Sequence, residues 1–555
     1  MREESDKIIK GFGQTLISGR KSTVSSYQNR QHMRLFSDNI IEFGLIFLVL
    51  FTPLVFGSVY VWAYSIMEII VLLMLITMVV RKCLLKGEKF SFPFILPISV
   101  FLFLIFFQMA PLPPSAMKLI SPKTHELYSV TLDGYPNGKG SNPSEFKIFP
   151  DTEFRGQRSG VRGQIVEIKK TERAFENWRT ISVDPYATRT ELLKIISYLG
   201  VFLLIINYVD SKRKLMRMSA VIVFSGIVVA LLGVAQKVAE APKIYWFWEP
   251  IFKNDASFFG PFVNPNHFAG YIEMIVPLSI GLFIAKWKHM AKKQLRGIRE
   301  FLIKMSEEEV CKLILLSFFI ILMAGALFLS SSRGGIISFL GSMVFLLAMM
   351  IRKEKGGRNI TILVVFLMSI LSFLIWMGIS PLIEEFSSIQ DLSKDYDIQY
   401  RFQNWKDILG IIKDFPLFGA GLETFSAIFP KYKTIWLQYH YLYLENDYLQ
   451  LLCEMGLLGF GIFLWFMLSL FRKIGSDYSR PDIGGRSGVQ YISFYGCLTA
   501  IVAIMIHSFW DFNMHIPSNA QLLSMLIGLT IAGARIGRKG YVEYPQRRDS
   551  RVIIS

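Results

Sequence analysis

Long apolar runs alternate with short polar and basic segments along most of the chain, from about residue 41 to about residue 536. Each run is close to the roughly 20 residues that an α-helix needs to cross the hydrocarbon core of a bilayer. The pattern therefore predicts an all-α polytopic membrane protein with about 12 transmembrane helices. The predicted spans are 41–60, 62–80, 92–110, 191–209, 216–236, 267–285, 312–330, 335–351, 360–380, 456–471, 490–508 and 519–534.

Composition agrees with this interpretation and excludes two other classes of protein. The 555 residues are 52% hydrophobic and only 19% charged, a balance that is unusual for a water-soluble enzyme. The net charge of +17 is spread over short Lys and Arg clusters between the apolar runs, so it forms no single basic face for nucleic acid. The four cysteines are scattered without the spacing of a zinc site, and we expect neither a structural metal nor a disulfide framework.

The basic clusters predict how the chain is oriented in the membrane, because cytoplasmic loops are enriched in Lys and Arg. An even number of spans with both termini inside places more than half of the 60 basic residues on the cytoplasmic side. Residues 1–40 and 535–555 are then cytoplasmic tails, and two long segments, 111–190 and 381–455, lie on the outer face. The three membrane blocks are accordingly 41–110, 191–380 and 456–534.

The two outer segments differ in pattern. Residues 111–190 are rich in Pro, Gly and Lys without sustained periodicity, which predicts an irregular or small folded insertion. In 381–455, apolar residues recur at three- and four-residue steps over 401–415, as an amphipathic helix requires. Further on, Asn446 or Asp447 is a good N-cap for the helix that becomes the tenth span. The apolar residues of the amphipathic helix are Phe402, Trp405, Ile408, Leu409, Ile412 and Phe415.

Polar residues form four clusters at predicted helix ends and in the second outer segment. Because polar residues at membrane depth or at its edge are costly, each cluster is a candidate site. The topology places all four on one face, away from cytoplasmic ATP, so we expect a single site that uses a substrate already activated inside the cell. The clusters are NPNHF with Asn264, Asn266 and His267; SSSRGG with Arg333; the outer loop with Arg401, His440, Glu445 and Asp447; and HSFWDFNMHIPSNA with His507, Asp511, Asn513, His515 and Asn519.

Simpler roles compete with ligand binding for several of these residues. Arg333 either satisfies helix carbonyls in a tight turn or, fixed beside two glycines, binds a phosphate. Arg401 either pairs with Asp397 or Glu385 or faces an anionic partner. His267 is either a substrate-binding residue or an ordinary hydrogen-bonding residue at the membrane interface. Residue type and spacing leave these alternatives open.

A metal site is a further alternative at the last cluster. His507, Asp511 and His515 are spaced by four and would align as ligands on a continuous helix. Pro517 and the polar sequence around it disfavour such a helix. We therefore expect no metal, and expect Asp511 to orient a neighbouring side chain or to accept a sugar hydroxyl.

The motifs NPNHFAGY, SSSRGG, PLFGAGLETF, ENDYLQLLCEMGLLG and DFNMHIPSNA, in this order, resemble those of the O-antigen ligase and O-antigen polymerase superfamily of bacterial membrane glycosyltransferases. The resemblance covers about residues 190–536 and leaves 111–190 outside. It implies a GT-C-like enzyme of the bacterial inner membrane that needs no metal or other cofactor and takes a polyprenyl diphosphate-linked oligosaccharide as donor. It also implies that Arg333 and Arg401 match the family's two functional arginines, which hold the diphosphate.

One position departs from the ligase branch of that family. Its motif before the tenth span normally begins with His and Asn, whereas this chain has Glu445 before Asn446. We expect Glu445 to act as general base toward the acceptor hydroxyl, with His440 as the alternative. The helix N-terminus near Asn446 is expected to share the charge of the leaving group. The other predicted substrate-binding residues are Asn266, His267, Asp511 and Asn513.

The predicted function is transfer or polymerisation of a glycan in the synthesis of cell-envelope polysaccharide or lipopolysaccharide, with lipid A core or another glycan as acceptor. The departure at Glu445 and the aromatic residues of the outer loop, which are suited to stacking on sugars, favour polymerisation; an interfacial aromatic belt is the other interpretation of those residues. The alternative function is a transporter or flippase of lipid-linked glycans, whose charged residues would lie nearer the bilayer midplane. The aromatic residues are Trp405, Tyr432, Trp436, Tyr439, Tyr441 and Tyr443.

Overall fold

The computed structural model describes residues 31–85, 90–132, 135, 177–249, 258–290, 308–353, 358–377, 396–435, 441–478 and 488–542. These residues form helices joined by turns, with three isolated β-bridges and no longer strand among them. The helices are α1 Gln31–Leu54, α2 Val61–Leu84, α3 Ile95–Met109, α4 Pro114–Ile120, α5 Pro122–Thr131, α6 Pro185–Tyr208, α7 Lys212–Val238, α8 Pro265–Met290, α9 Glu308–Leu329, α10 Arg333–Lys353, α11 Arg358–Met377, α12 Tyr396–Asp414, α13 Phe425–Ile428, α14 Asp447–Tyr478, α15 Tyr491–His507 and α16 Pro517–Val542.

Nine of the helices in the described part of the chain are long and apolar enough to cross a membrane. Three shorter apolar stretches occupy the remaining segments in which a span is predicted: α3, Ile360–Phe373 within α11, and α15. The helices thus agree with the predicted all-α polytopic membrane protein. A helix suits a spanning segment because it satisfies its own backbone hydrogen bonds inside a bilayer. The count of 12 spans stays a prediction.

Several helices begin or end away from their predicted positions. The first helix runs from Gln31 to Leu54 instead of over 41–60, so part of the predicted cytoplasmic tail is helical. After it the chain enters a tight turn in which Phe56, Gly57 and Ser58 all have positive φ, a conformation that a helix cannot continue. The helix α14 begins at Asp447, as its predicted N-cap requires, and Gly456, the first residue of the predicted tenth span, lies at a kink inside it with φ +63°.

The chain divides into two compact units, each of which is described by itself. Unit 1 consists of residues 1–93, 194–391 and 471–555. Its central helix is α8, which is buried along its whole apolar stretch and packs against α7, α9, α10, α15 and α16. The helix α15 opens with a π-helical stretch, Tyr491–Cys497, that lies directly on α8: a Cβ added to Gly281 would be 2.5 Å from the Tyr491 carbonyl oxygen. The absence of a side chain at Gly281 therefore allows this close approach.

Unit 2 consists of residues 94–193 and 392–470. Its core is formed by α12 and by the turn that follows it, and the predicted amphipathic helix is confirmed. The helix buries Ile408 and Ile411, but Phe402 and Leu409 of the predicted apolar face are exposed. The helix also begins at Tyr396, so that Arg401 lies in its second turn and not at its head. The buried core residues of this cluster are Ile408, Ile411, Phe415, Ala420, Phe425, Ile428, Phe429, Leu444 and Cys453.

The described part of the predicted insertion 111–190 is helical at both ends. It contains α4 and α5, and it leads into α6, which begins at Pro185 rather than at residue 191. The Tyr128 hydroxyl donates hydrogen bonds to the carbonyl oxygens of Thr180 and Ser182, at 3.0 Å each, and thereby joins the two ends. Residues 133–134 and 136–176 lie outside the described part of the chain.

Candidate functional site

The SSSRGG motif forms the turn between α9 and α10 in unit 1. Ser331 has a φ of +55°, which reverses the chain after α9. Ser332 then caps α10, since its hydroxyl accepts the backbone N–H of Gly335 at 3.2 Å and its carbonyl accepts that of Ile336 at 2.9 Å. Arg333, the first residue of α10, is half-buried. The motif therefore sets a guanidinium on a capped helix N-terminus, an arrangement that favours anions.

The two glycines of the motif allow α10 to pack closely on its neighbours. A Cβ added to Gly335 would lie 2.5 Å from the Cβ of Ala269 on α8. A Cβ added to Gly334 would lie 3.1 Å from Nε2 of His507, at the end of α15. Larger residues at these positions would push the first turn of α10, and with it Arg333, away from both helices.

Polar side chains from two distant motifs meet in unit 1. The Nδ2 of Asn519 donates to Oδ1 of Asn513 at 2.9 Å and to the carbonyl oxygen of His267 at 3.0 Å. His267 Nε2 lies 3.4 Å from Oδ1 of Asp511. All four residues are buried. The structure therefore brings together three of the predicted substrate-binding residues, His267, Asp511 and Asn513.

Asn264 and Asn266 have separate positions at the start of α8. The side chain of Asn264 accepts the backbone N–H of Asn266 at 2.8 Å, and its carbonyl oxygen accepts that of Phe268 at 3.3 Å. Asn264 is therefore the N-cap of α8. Asn266 lies in the first turn of that helix and is half-buried.

A buried carboxylate in this region was missed by the sequence analysis. Glu273 on α8 has no exposed surface, and its Oε1 lies 3.1 Å from Nδ1 of His507, which is equally buried. An acidic residue inside an apolar span is a signal that the sequence does contain, because such a residue is costly there. The signal was passed over because Glu273 lies outside the polar clusters at the helix ends.

The structure places the three residues of the metal-site alternative in different local structures. The helix α15 ends at His507, Asp511 follows it outside any helix, and His515 belongs to a short 3-10 turn. The spacing of four therefore does not align them on one helix face. His507 instead faces Glu273, and Asp511 faces His267.

Arg401 and Glu445 form an ion pair in unit 2. The Nε of Arg401 lies 3.0 Å from Oε2 of Glu445, and the two side chains are 21% and 28% exposed. The side chains of Asp397 and Glu385, the partners predicted as alternatives, lie outside the described residues. Both members remain accessible enough to exchange their partner for a bound ligand.

The backbone around Glu445 is held by the start of α14. The side chain of Asn446 accepts the backbone N–H groups of Tyr448 at 3.1 Å and Leu449 at 3.0 Å. This confirms Asn446 as the N-cap of α14. Glu445 is thus fixed one residue before a helix N-terminus. His440, the other predicted base, lies outside the described residues.

The glycine-rich turn GAGLETF packs against α14. Gly419 and Gly421 have φ values of +72° and +117°, and a Cβ on Gly419 would lie 2.2 Å from the Glu454 carbonyl carbon. The Glu454 carboxylate accepts the backbone N–H groups of Glu423 at 2.7 Å and Phe425 at 3.3 Å. The motif therefore needs glycine for both its backbone conformation and its close contacts.

Gln108 on α3 is a second buried polar residue that the sequence analysis missed. Its Nε2 donates to the carbonyl oxygens of Phe418 at 2.6 Å and Glu454 at 2.9 Å, and its Oε1 accepts the N–H of Leu422 at 3.2 Å. It satisfies backbone groups of the glycine-rich turn that would otherwise be buried without partners.

Several aromatic residues of the outer loop, which were predicted to stack on sugars, pack on the core of unit 2. Trp405, Tyr432 and Tyr441 are partly buried and pack on that core. The Tyr443 hydroxyl donates to Glu423 Oε1 at 2.9 Å, and burial together with nearby carboxylates raises the pKa of Tyr443 well above its ordinary value. Tyr432 likewise donates to Asp414 at 2.7 Å, and burial raises its pKa. Trp436 and Tyr439 lie outside the described residues.

Part of the chain is similar to a known protein family. A family model described as O-antigen ligase matches residues 318–464. A search of curated proteins found no match. The matched region contains Arg333, Arg401, Glu445 and Asn446, whereas the buried cluster around His267 and Asp511 lies outside it. The match supports the resemblance to the O-antigen ligase and polymerase superfamily that the motifs indicate.

Proposed function

We propose that the protein transfers or polymerises a glycan from a polyprenyl diphosphate-linked donor at the extracytoplasmic face of the bacterial inner membrane. One observation carries the proposal: the region that matches the O-antigen ligase family contains two arginines in anion-binding settings. Arg333 stands on the capped N-terminus of α10, and Arg401 is held by Glu445 beside the capped N-terminus of α14.

In this proposal both arginines neutralise the diphosphate as it leaves. A guanidinium offers a planar, bidentate match to phosphate oxygens, which a lysine ammonium does not. Arg333 is half-buried, so its charge acts on the diphosphate with less screening by water than a fully exposed cation would. Each arginine is associated with a capped helix N-terminus, and a cation together with helix N-terminal N–H groups stabilises the charge of a leaving diphosphate.

The ion pair between Arg401 and Glu445 links donor binding to activation of the acceptor. A diphosphate that contacts Arg401 competes with Glu445 for the guanidinium. The carboxylate released in this way accepts the proton of the acceptor hydroxyl as the hydroxyl oxygen bonds to the anomeric carbon. The bond from that carbon to the diphosphate breaks, and the electron pair leaves with the polyprenyl diphosphate.

The buried polar cluster of unit 1 is proposed to bind the donor. Asn266 is half-buried in the first turn of α8, next to His267 and near Asp511 and Asn513. Amide, imidazole and carboxylate groups together offer both donors and acceptors, as recognition of sugar hydroxyls requires.

The test is loss of polymeric or transferred glycan in cells. Strains with Arg333→Ala or Arg401→Ala should lose long-chain glycan and retain its lipid-linked repeat unit. Arg352→Ala is the matched control, because Arg352 is exposed near the opposite end of α10 from Arg333. Unchanged glycan in both test strains, with the variants present in the membrane, would show the proposal to be wrong.

A second measurement separates transfer from transport. In vesicles that contain the purified protein and lipid-linked glycan, a transferase changes the length or linkage of the glycan. A flippase moves the lipid-linked glycan between leaflets and leaves it chemically unchanged. Movement without any change of the glycan would favour the transporter.

A further inference from the structure

The buried pair Glu273 and His507 lies directly behind the SSSRGG turn. Glu273 is on α8 and His507 is the last residue of α15, and both have 0% of their surface exposed. Their side chains meet at 3.1 Å between Oε1 and Nδ1. The Nδ1 edge of the imidazole therefore contacts a carboxylate buried inside unit 1.

The opposite edge of the same imidazole faces α10. A Cβ added to Gly334 would lie 3.1 Å from Nε2 and 3.2 Å from Cδ2 of His507. A Cβ added to Gly335 would lie 3.4 Å from Cε1. The imidazole thus fills the space between Glu273 and the first turn of α10, and that turn begins with Arg333.

This pair is a costly way to fill a helix interface. Oε2 of Glu273 has no hydrogen-bond partner in the described part of the chain. A buried polar pair that is incompletely bonded is generally less stabilising than apolar side chains of similar volume. Stability therefore does not explain why a polar pair lies here. Its contact with the SSSRGG turn indicates a functional role.

Two further titratable groups face this region. Asp511 is close enough to Glu273 for their charges to interact, and Asp511 in turn lies beside His267. The hydrogen bond to Glu273 fixes the orientation of the His507 ring within this group of polar side chains. A fixed ring presents a constant surface to Gly334.

We propose that Glu273 and His507 are positioning residues, which set the first turn of α10 so that the Arg333 guanidinium meets the donor diphosphate. The inference rests on the proposed function, in which Arg333 binds that group. His507 acts by contact with Gly334 and Gly335, and Glu273 acts by holding the imidazole. Neither residue touches the donor.

The experiment measures binding of two probes to the full-length protein in detergent, polyprenyl diphosphate and polyprenyl monophosphate. Glu273→Leu and His507→Ala should each weaken binding of the diphosphate by about 10- to 100-fold, the usual cost when the support of a ligand-binding side chain is lost. Binding of the monophosphate should change much less, so the preference for the diphosphate should fall. Glu273→Gln keeps an oxygen that accepts the Nδ1–H of His507, and should restore most of the preference.

Two further variants distinguish a loss of positioning from a general loss of folding. Gly334→Ala disturbs the contact from the α10 side and should lower the same preference. Ser279→Ala, the matched control on α8, removes a buried hydroxyl that donates to the Ile275 carbonyl of its own helix and should leave the preference unchanged. All variants are compared as monodisperse protein.

Different outcomes overturn the inference and the proposed function. If Glu273→Leu and His507→Ala weaken both probes equally, or neither probe, the pair does not position Arg333 and the inference is wrong. If Arg333→Ala itself keeps the full preference for the diphosphate, the proposed role of Arg333 fails. Loss of preference in Arg333→Ala alone would leave the proposed function standing and remove only the positioning pair.

Discussion

The Nε atom of Arg401 lies 3.0 Å from Oε2 of Glu445, which joins the second turn of α12 to the residue before the N-cap of α14. The predicted cation and the predicted base of the reaction are therefore partners before any ligand binds. In the proposed function, the pair holds Glu445 at the guanidinium from which a diphosphate would displace it. Its two members have different chemical roles, which substitution can separate.

Replacing Glu445 by Gln tests its role as general base. The amide keeps an oxygen that accepts the Arg401 N–H, but it does not accept a proton from the acceptor hydroxyl. We expect the initial rate of glycan transfer in reconstituted vesicles to fall by about 10²- to 10⁴-fold, the usual contribution of a general base. Glu445→His should retain part of the rate, because imidazole is also a base. Glu126→Gln, at an exposed surface pair of unit 2, is the control. An unchanged rate in Glu445→Gln would assign the proton transfer to another group.

Replacing Gly419 by Ala tests the packing of the glycine-rich turn on α14. The new Cβ would lie 2.2 Å from the Glu454 carbonyl carbon at a φ of +72°. We expect the variant to lose at least about 2 kcal/mol of stability, from steric overlap together with backbone strain. Gly461→Ala is the matched control in α14, because nothing lies within 4 Å of its added Cβ. Thermal unfolding in detergent measures both variants, and equal midpoints would contradict the description of this turn.

Replacing Tyr443 by Phe tests the coupling of this tyrosine to Glu423. Its pKa is raised above the ordinary 10.0, so the folded protein retains the phenolic proton more strongly than the unfolded chain does. The resulting stability is fully present below about pH 10 and is lost as the pH rises through the pKa of the folded state. We expect the unfolding midpoint of the parent protein to fall as the pH rises above about 10, and Tyr443→Phe to make that fall shallower. Tyr186→Phe, at a residue that is 73% exposed, should leave the pH dependence as in the parent. Identical pH profiles for the parent and Tyr443→Phe would contradict the prediction.

A deletion strain distinguishes polymerisation from ligation. A polymerase joins lipid-linked units of one kind, so its loss should leave single repeat units on the polyprenyl carrier. We expect this result, and mass analysis of the extracted lipid-linked glycans checks it. Full-length polymer that stays on its carrier would show instead that the protein ligates a finished chain to a fixed acceptor. Complementation with the parent gene controls for effects on neighbouring genes.

Local features of the chain were predictable from the sequence. The apolar runs become helices, because a chain that crosses a bilayer has to satisfy its backbone hydrogen bonds within each helix. Asn446 caps α14 as predicted, since capping involves only the next three residues. The amphipathic pattern over 401–415 likewise forms the helix that it predicts. Each of these features depends on interactions within a few residues along the chain.

Features that join distant parts of the chain were not predictable in this way. Glu273 and His507 are 234 residues apart, and nothing near either residue indicates the other. Arg401 pairs with Glu445 on a different element, and no local pattern in the sequence indicates this pair. Phe402 and Leu409 belong to the apolar pattern of α12 and yet are exposed.

The sequence by itself determined which segments are helical, where several of them are capped, and which residue types are available for chemistry. Only the tertiary structure decided which of those residues meet, which face of α12 is buried, and why SSSRGG and GAGLETF need glycine at their close contacts. The physical reason is that helix formation is governed by local hydrogen bonds and periodicity, whereas the rotation and approach of packed helices depend on side chains from several segments at once.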